Sequence, residues 1–217
     1  MGKSKGKKST IAIFLAHLNP LTLSHEKIIQ SLLNDYKVYV FPVRFLKNNE
    51  EVTTRSFPFS FETRKQMILE SFGYDENIFV LENYAFVSPY IRYLPPFSPP
   101  FQKLRKNIIS NLRGSDFITY TGDRAERVLL KIFGFNPIQA NRQRISSTDV
   151  KNLLYRSALS CKTLSGSNHL DLEWCNFVSP KVGEIIKRNW NIVERFSNSG
   201  DNTIRVCGMK FPKDGFI

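Results

Sequence analysis

Apolar and polar positions follow strand-like and helix-like patterns in turn along most of the chain. The run Ile11–Ala16 is short and continuously apolar, which is typical of a strand buried on both faces. Residues 24–36 place apolar side chains three and four positions apart, which predicts an amphipathic helix. Residues 37–45 are rich in valine and aromatic side chains and predict a second strand. The chain therefore opens as a strand, a helix and a strand.

The same alternation continues through the later segments. Helical spacing recurs over 61–72, 102–112, 122–133, 147–159 and 178–189. Strand-like runs lie at 77–81, 116–121, 137–141 and 203–206. Polar or proline-rich composition predicts irregular segments at 46–59, 84–101 and 160–169. Strands that alternate with helices of this length predict a Rossmann-like α/β fold, a doubly wound parallel sheet of five or six strands with helices on both faces.

Composition and charge narrow the function classes. Hydrophobic residues make up 41% of the chain and charged residues 23%, which excludes a disordered protein. No apolar run reaches the roughly 18–20 residues needed to cross a bilayer, so no membrane partner is expected. The net charge of +12 favours a polyanionic partner, either a phosphate-rich small molecule or nucleic acid.

Local composition also predicts the domain organisation. Residues 1–10 carry four lysines and few apolar residues, so we expect a basic, disordered tail. Residues 11–190 form the predicted domain, and residues 191–217 are a C-terminal extension. The three cysteines lie far apart and form no metal-binding pair, which favours a reducing compartment, cytoplasmic or nuclear. Self-association is left open.

The turn after the first strand is the first candidate site. It contains Asn19-Pro20 and Thr22, and His25 lies in the first turn of the helix that follows. The N terminus of a helix presents unpaired N–H groups and a positive dipole end, both of which attract phosphate. The alternative is an ordinary capped helix in which Ser24 is the N-cap and His25 is exposed.

A second candidate lies at the start of the helix at 147–159. Ser146, Ser147 and Thr148 lead into it, and Lys151 follows one turn later. Backbone N–H, hydroxyl and ammonium donors suit phosphate oxygens. The alternative is again helix capping, with Asp149 in the first turn as the partner of a serine.

Together the two segments resemble the nucleotidyltransferases that carry (H/T)xGH and ISSTxxR motifs, in the same order. Here the motifs read Thr22-Leu-Ser-His25 and Ile145-Ser-Ser-Thr-Asp-Val-Lys151. Further stretches are similar to the archaeal-type branch of nicotinamide mononucleotide (NMN) adenylyltransferases, and they begin at Phe57, Phe86, Tyr120 and Trp174. The resemblance covers about 11–189.

The resemblance implies adenylyl transfer from ATP to NMN, which yields NAD and pyrophosphate. His25, Thr22 and Lys151 would act at the phosphates, and Mg²⁺ would be held through those phosphates rather than by side-chain ligands. ATP would contact residues of the two motif segments: Ala16, His17, Leu18, Asn19, Ser146, Ser147 and Thr148. The nucleotide substrates would also meet Arg64, Tyr90, Gly122 and Asp123. The partners would be small nucleotides, and nucleic acid is not expected.

Three positions depart from the family pattern. Ala16 and Ser24 stand where the family usually has glycine, and Lys151 stands where it has arginine. Lysine keeps the charge of arginine but loses its two-pronged hydrogen-bonding geometry. Two other functions therefore stay open. One is transfer to another acceptor, such as phosphopantetheine or an alcohol phosphate, and the other is a catalytically weakened nucleotide- or nucleic-acid-binding module.

Overall fold

The computed structural model describes residues 10–94, 98–110, 116–121, 137–139, 146–163, 173–206 and 208–217, with single positions at 112, 127, 130, 131, 134 and 135. The strands are β1 (Ile11–Ala16), β2 (Lys37–Pro42), β3 (Arg44–Lys47), β4 (Glu50–Glu51), β5 (Ile78–Val80), β6 (Ala85–Val87), β7 (Phe117–Thr121), β8 (Pro137–Gln139), β9 (Thr203–Val206) and β10 (Met209–Pro212). The helices are α1 (Leu23–Leu33), α2 (Phe61–Ser71), α3 (Pro99–Ser110), α4 (Ser147–Thr163), α5 (Pro180–Arg188) and α6 (Trp190–Ser197), with 3₁₀ turns at Tyr90–Tyr93 and Glu173–Phe177.

A five-stranded parallel sheet organises these elements. Its order is β5-β2-β1-β7-β8, so the chain builds outward from β1 first to one side and then to the other. This arrangement confirms the predicted Rossmann-like α/β class, with five strands in the described part of the chain. A small sheet of order β4-β3-β6 and the antiparallel hairpin β9–β10 complete the strands.

Strand β1 is buried on both faces, as its continuous apolar run predicts. Alternate side chains point to opposite sides of a strand, and here each side meets a separate core. Ala12 and Phe14 pack with residues of α1, α2, α4 and α5, while Ile13 and Leu15 face a second cluster with α3 and many aromatic rings. Helices therefore cover both faces of the central sheet.

Several predicted boundaries are wrong, and each error has a local cause. The single strand predicted over 37–45 is divided at Val43 into β2 and β3, which belong to different sheets. The loop predicted over 46–59 holds the end of β3 and the short strand β4. Within 84–101, which composition marks as irregular, the chain forms β6, the 3₁₀ turn and the start of α3. Proline tolerates the first turn of a helix, so Pro99 and Pro100 are compatible with the start of α3.

The later part of the chain is also more regular than predicted. Helix α4 continues through Thr163, so the loop predicted over 160–169 is helical at its start. The extension at 191–217 contains most of α6 and a second strand, β10, beside the predicted β9. Within the described residues, no helix is both long and apolar enough to span a bilayer. The predicted tail and the predicted helix at 122–133 lie largely outside the described residues.

Candidate active site

The candidate site lies at the carboxyl end of β1, where the sheet order reverses. From β1 the chain proceeds to β2 and β5 on one side, and β7 and β8 lie on the other. The turn at 17–22 leaves the sheet at this point and leads directly into α1. In open parallel sheets this crevice is where ligands bind.

Buried hydrogen bonds fix the turn. The Asn19 side chain donates to the Phe59 carbonyl at 2.8 Å and accepts from the Phe59 N–H at 3.1 Å. Leu18 has a φ of 49°, a left-handed conformation that disfavours a branched side chain, and it is 1% exposed. The predicted ATP contacts Leu18 and Asn19 are thus buried, and the side chain of Asn19 is engaged by the fold. Ala16 is the last residue of β1, and its carbonyl accepts from the Val43 N–H at 3.0 Å.

His25 and Thr22 form a reciprocal cap at the start of α1. The cap residue is Thr22 rather than Ser24, and His25 is half-buried rather than exposed, so the simple capping alternative is wrong in both details. The Thr22 N–H donates to His25 Nδ1 at 3.2 Å, and the Thr22 hydroxyl lies 2.9 Å from the same nitrogen. Because Nδ1 accepts, the ring proton resides on Nε2, which can donate to a ligand.

Burial keeps both histidines of this segment neutral. Burial and then the nearby Lys151 charge lower the pKa of His25 to about 4. The pKa of His17 falls to about 3, first through burial and then through Lys151, Arg64 and Lys210. The His17 ring stacks on Phe57 with centroids 4.8 Å apart, and its Nδ1 is buried with no hydrogen-bond partner among the described residues.

The N terminus of α4 is capped by its own residues. The Ser146 N–H and hydroxyl both donate to the Asp149 carboxylate, at 2.9 and 2.7 Å, and the Asp149 N–H donates back to the hydroxyl at 3.3 Å. Ser147 donates to the Pro20 carbonyl at 3.1 Å, and Thr148 is exposed. Ser146 thus makes the contacts of the capping alternative, and Ser147 ties α4 to the first motif.

Lys151 is a buried ammonium that joins the two motifs. It is 8% exposed, and its Nζ donates to the Asn19 carbonyl at 3.0 Å. Burial and the charge of Lys210 lower the pKa of Lys151 to about 7, which a weaker attraction to Asp201 only partly offsets. An anionic ligand would stabilise the charged form of this side chain.

Arg64 lies beneath the turn, not on the surface. It is 2% exposed and donates to the carbonyls of His17 and Val43, each at 2.8 Å. A further bond of 2.8 Å joins it to Glu51, whose other oxygen accepts from the Phe61 N–H. Arg64 is therefore not a solvent-facing charge, and its guanidinium is occupied by these bonds within the fold. Burial lowers its pKa to about 10, so it remains charged at neutral pH.

Tyr90 belongs to an aromatic cluster beside His17. Phe45 is the centre of this cluster and contacts the rings of Phe57, Phe86 and Phe211, and Tyr90 packs edge-on against Phe45 at 5.4 Å. Tyr90 is fully buried, and its hydroxyl has no hydrogen-bond partner within the described residues. Gly122 and Asp123, which follow β7, lie outside the described residues.

Sequence reasoning missed a contribution from the C-terminal hairpin. Lys210 donates to the Ser56 hydroxyl at 2.8 Å and pairs with Asp201 at 3.0 Å. Its charge influences both His17 and Lys151, so its ammonium lies on the same side of the molecule as the two motifs. No motif surrounds these residues in the sequence, and only the hairpin pattern of 203–212 could have drawn attention to them.

The strand order and the position of the candidate site define the class of protein: a Rossmann-like α/β protein with an open parallel sheet. The structure is similar to a bifunctional NMN adenylyltransferase/ADP-ribose pyrophosphatase from Francisella tularensis in complex with AMP and a manganese ion. The TM-score is 0.52 at 17% identity, over 86% of this chain and 54% of that one. The chain thus spans about half the length of that protein.

A nicotinic acid mononucleotide adenylyltransferase from Plasmodium falciparum, in complex with NaAD, gives a TM-score of 0.47 at 15% identity. The alignment covers 85% of this chain and 98% of that one. No family model and no curated protein matches the sequence. At these identities the likeness concerns the fold.

Proposed function

We propose that the protein transfers the adenylyl group of ATP to NMN. A phosphate oxygen of NMN would attack the α-phosphorus of ATP, and the bond from that phosphorus to the oxygen bridging to the β-phosphate would break. The products are NAD and pyrophosphate. The attacking phosphate is already ionised at neutral pH, so the reaction requires no general base. Catalysis would consist of positioning and of stabilising charge on the phosphate oxygens.

The observation that carries this proposal is the convergence of His25 and Lys151 on the turn after β1. The cap from Thr22 leaves the Nε2–H of His25 as a donor in a neutral ring. Lys151 brings a buried positive charge to the same turn through the Asn19 carbonyl. A hydrogen-bond donor and a cation at the reversal point of the sheet suit the α-phosphate and the leaving pyrophosphate.

The acceptor assignment has separate support. The aromatic cluster around Phe45 and Phe57 reaches His17 at the edge of the motif turn. The phenylalanine rings are buried, so His17, which is half-buried, is the ring of this group that can face a planar ligand such as a pyridine. The similarity of the sequence to the archaeal-type NMN adenylyltransferases agrees with this choice and stays a prediction.

Magnesium is proposed as part of the substrate, MgATP. Mg²⁺ commonly keeps several of its waters and binds through substrate phosphates rather than through a cage of side chains. Among the described residues, no group of three or more His, Cys, Asp or Glu side chains is placed to hold a metal ion. The residues of this chain would then act on the phosphates that carry the ion.

A weakened binding module is the second candidate, and the N terminus of α4 supports it. Asp149 places a carboxylate where a phosphate would bind and already accepts the N–H and hydroxyl of Ser146. A nucleotide would have to displace this carboxylate or bind beside it. A protein limited in this way could bind nucleotides without transferring the adenylyl group.

The test is a panel of acceptors with MgATP and MgCTP, scored by pyrophosphate release. The panel contains NMN, nicotinic acid mononucleotide, phosphopantetheine and glycerol 3-phosphate. We expect NMN with ATP to give the fastest release and NAD as the product. Turnover with another acceptor only would retain the reaction class and reject NMN. Nucleotide binding without pyrophosphate release from any pair would favour the binding module.

A further inference from the structure

The C-terminal hairpin brings a second ammonium group to the candidate site. The Nζ of Lys210 in β10 lies 2.8 Å from the Ser56 hydroxyl and 3.0 Å from Asp201. Ser56 directly precedes Phe57, whose ring stacks on His17. Lys210 is therefore connected to the motif turn through only a few side chains, although it lies far away in the sequence.

The alternation of β10 fixes the direction of this side chain. Met209 and Phe211 are 5% and 1% exposed and belong to the aromatic core. Because neighbouring residues of a strand point to opposite faces, Lys210 points away from that core, toward Ser56. Its side chain keeps 30% exposure, so a ligand in solution can reach it.

Asp201 orients the ammonium. Burial by itself would raise the pKa of Asp201, but hydrogen bonds from Lys210, Ser56 and Thr203 outweigh it and hold that pKa below its ordinary value. The carboxylate is therefore ionised at neutral pH and accepts three donors at 2.9 to 3.0 Å. Such a network restricts the position of Lys210 before any ligand binds.

Cations outnumber anions around this position. Lys210 and Arg64 both repel the charge of Lys151, while Asp201 pairs with Lys210 and Glu51 pairs with Arg64. Each carboxylate already binds one of these cations. Lys151 forms no ion pair within the part of the chain that the structure describes, where its Nζ donates to the Asn19 carbonyl. A polyanion bound between Lys151 and Lys210 would relieve the repulsion.

We propose that Lys210 is a phosphate-binding residue of this site, which holds the triphosphate of ATP together with Lys151, while Asp201 and Ser56 position its ammonium. This inference rests on the proposed function for the identity of the nucleotide. The binding of a polyphosphate to Lys210 can be measured without any turnover.

The experiment measures the dissociation constants of inorganic tripolyphosphate and of ATP by calorimetry. Lys210→Met removes the charge and keeps the length of the side chain, and we expect both ligands to bind on the order of tenfold more weakly. Lys210→Arg should bind both within about threefold of the wild type, because it keeps the charge. Lys213→Met is the matched control, because Lys213 is an exposed lysine at the end of the same hairpin. The Lys213→Met variant should bind tripolyphosphate and ATP with the wild-type affinity.

Asp201→Asn separates ligand binding from a structural ion pair. If Lys210 binds phosphate, Asp201→Asn lowers the melting temperature and changes the affinity for tripolyphosphate far less than Lys210→Met does. If the pair is structural only, both variants lose stability alike and keep the wild-type affinity, which would overturn the proposal. Lys210→Gln is the substitute should Lys210→Met fail to fold.

The two proposals fail in different ways. Loss of tripolyphosphate binding in Lys210→Met, with no pyrophosphate release by the wild type on any acceptor, would reject the reaction and support the Lys210 site. NAD formation by a Lys210→Met variant with unchanged affinity for ATP would support the reaction and reject the Lys210 site.

Discussion

At the scale of single residues, His25 has two roles, and a substitution by alanine would remove both at once. It closes the cap of α1 through Nδ1 and offers Nε2–H to a ligand. Glutamine at this position can also accept from the cap N–H, so His25→Gln keeps the capping function while it removes the imidazole. The two functions can therefore be separated experimentally.

We expect His25→Gln to lower kcat by about 10²–10³, the usual effect of removing a donor to a developing charge, while KM for ATP changes little. Its melting temperature should stay near that of the wild type. His25→Ala should show the same kinetic loss and a further loss of about 1 kcal/mol in unfolding free energy, because the cap is broken as well. Steady-state kinetics and thermal unfolding provide both readouts. A His25→Gln enzyme with normal kcat would assign His25 to the cap alone.

Lys151 makes nucleotide binding dependent on pH. Its pKa of about 7 in the free protein means that the ammonium loses its proton above neutrality, and a bound triphosphate must restore that proton. We expect the affinity for ATP to fall by up to about tenfold per pH unit from about pH 7.5 upward. Lys151→Arg should abolish most of this slope, because arginine stays charged. Calorimetric titrations of both proteins measure it, and an equal slope in both would assign the titration to another group.

Lys151 also makes the stability of the ligand-free protein depend on pH, and this dependence is opposite in sign to that of the affinity for ATP. Between the folded-state pKa of about 7 and the ordinary value of 10.5, the unfolded chain holds a proton that the folded chain has released. The contribution of Lys151 to the unfolding free energy of the ligand-free protein therefore rises with pH across this interval. High pH thus favours the empty fold and disfavours nucleotide binding.

At the scale of elements, one face of α4 holds two loops in place. Ser147, Lys151 and Tyr155 follow each other at intervals of four residues and point to the same side of the helix. The first two bind the carbonyls of Pro20 and Asn19, and the Tyr155 hydroxyl binds the Arg55 carbonyl at 2.7 Å. The Arg55 side chain lies over the Tyr155 ring and binds the carbonyls at the end of α6. Helix α4 thereby connects the first motif to the C-terminal extension.

Arg64 has a similar role in α2, and its removal should be costly. Arg64→Met leaves the carbonyls of His17 and Val43 without their donor and Glu51 without its partner. We expect a loss of about 3–5 kcal/mol in unfolding free energy. Arg188→Met is the control, since Arg188 is exposed and pairs with Glu70 at 3.5 Å, and it should cost less than about 1 kcal/mol. Urea denaturation compares the two, and equal losses would contradict a structural role for Arg64.

The elements that sequence predicts well are those fixed by local pattern. Strand β1 has six consecutive apolar residues and α2 has regular helical spacing, so both appear within one or two residues of their predicted bounds. Strands β4 and β10 are short and pair with strands adjacent in sequence, but long-range contacts hold them in place: β3, the partner of β4, pairs with β6, and Phe211 of β10 packs against Phe45. No local pattern encodes such partners.

The candidate site also contains residues that a local motif reveals and residues that only the folded structure reveals. His25 and Lys151 could be found because each lies in a motif at the start of a helix, and the structure brings both to the turn after β1. Arg64 pairs with Glu51, which lies 13 positions away in the sequence. Lys210 reaches the site by a hydrogen bond to Ser56, which lies 154 positions away. Burial and pairing over such separations follow from the fold and are not visible in the sequence.

At the scale of the whole molecule, the two cores have different composition. The cluster on the side of α1 and α4 is mainly aliphatic, whereas the cluster on the side of α3 is rich in aromatic rings. The motif turn lies at the end of β1, whose alternate residues contribute to both cores. A ligand in the crevice would therefore meet aliphatic packing behind the first motif and aromatic rings beside His17.

The final residues close the aromatic core from the outside. The N–H groups of Tyr90 and Ile91 donate to the carbonyls of Gly215 and Phe216, each at 2.9 Å, and the Phe216 ring packs against Phe211. Ile217 beyond them is 95% exposed. For recombinant expression, an affinity tag fused after Ile217 would thus extend freely into solvent, whereas a clone shortened before Gly215 would uncover Tyr90 and expose hydrophobic surface that promotes aggregation.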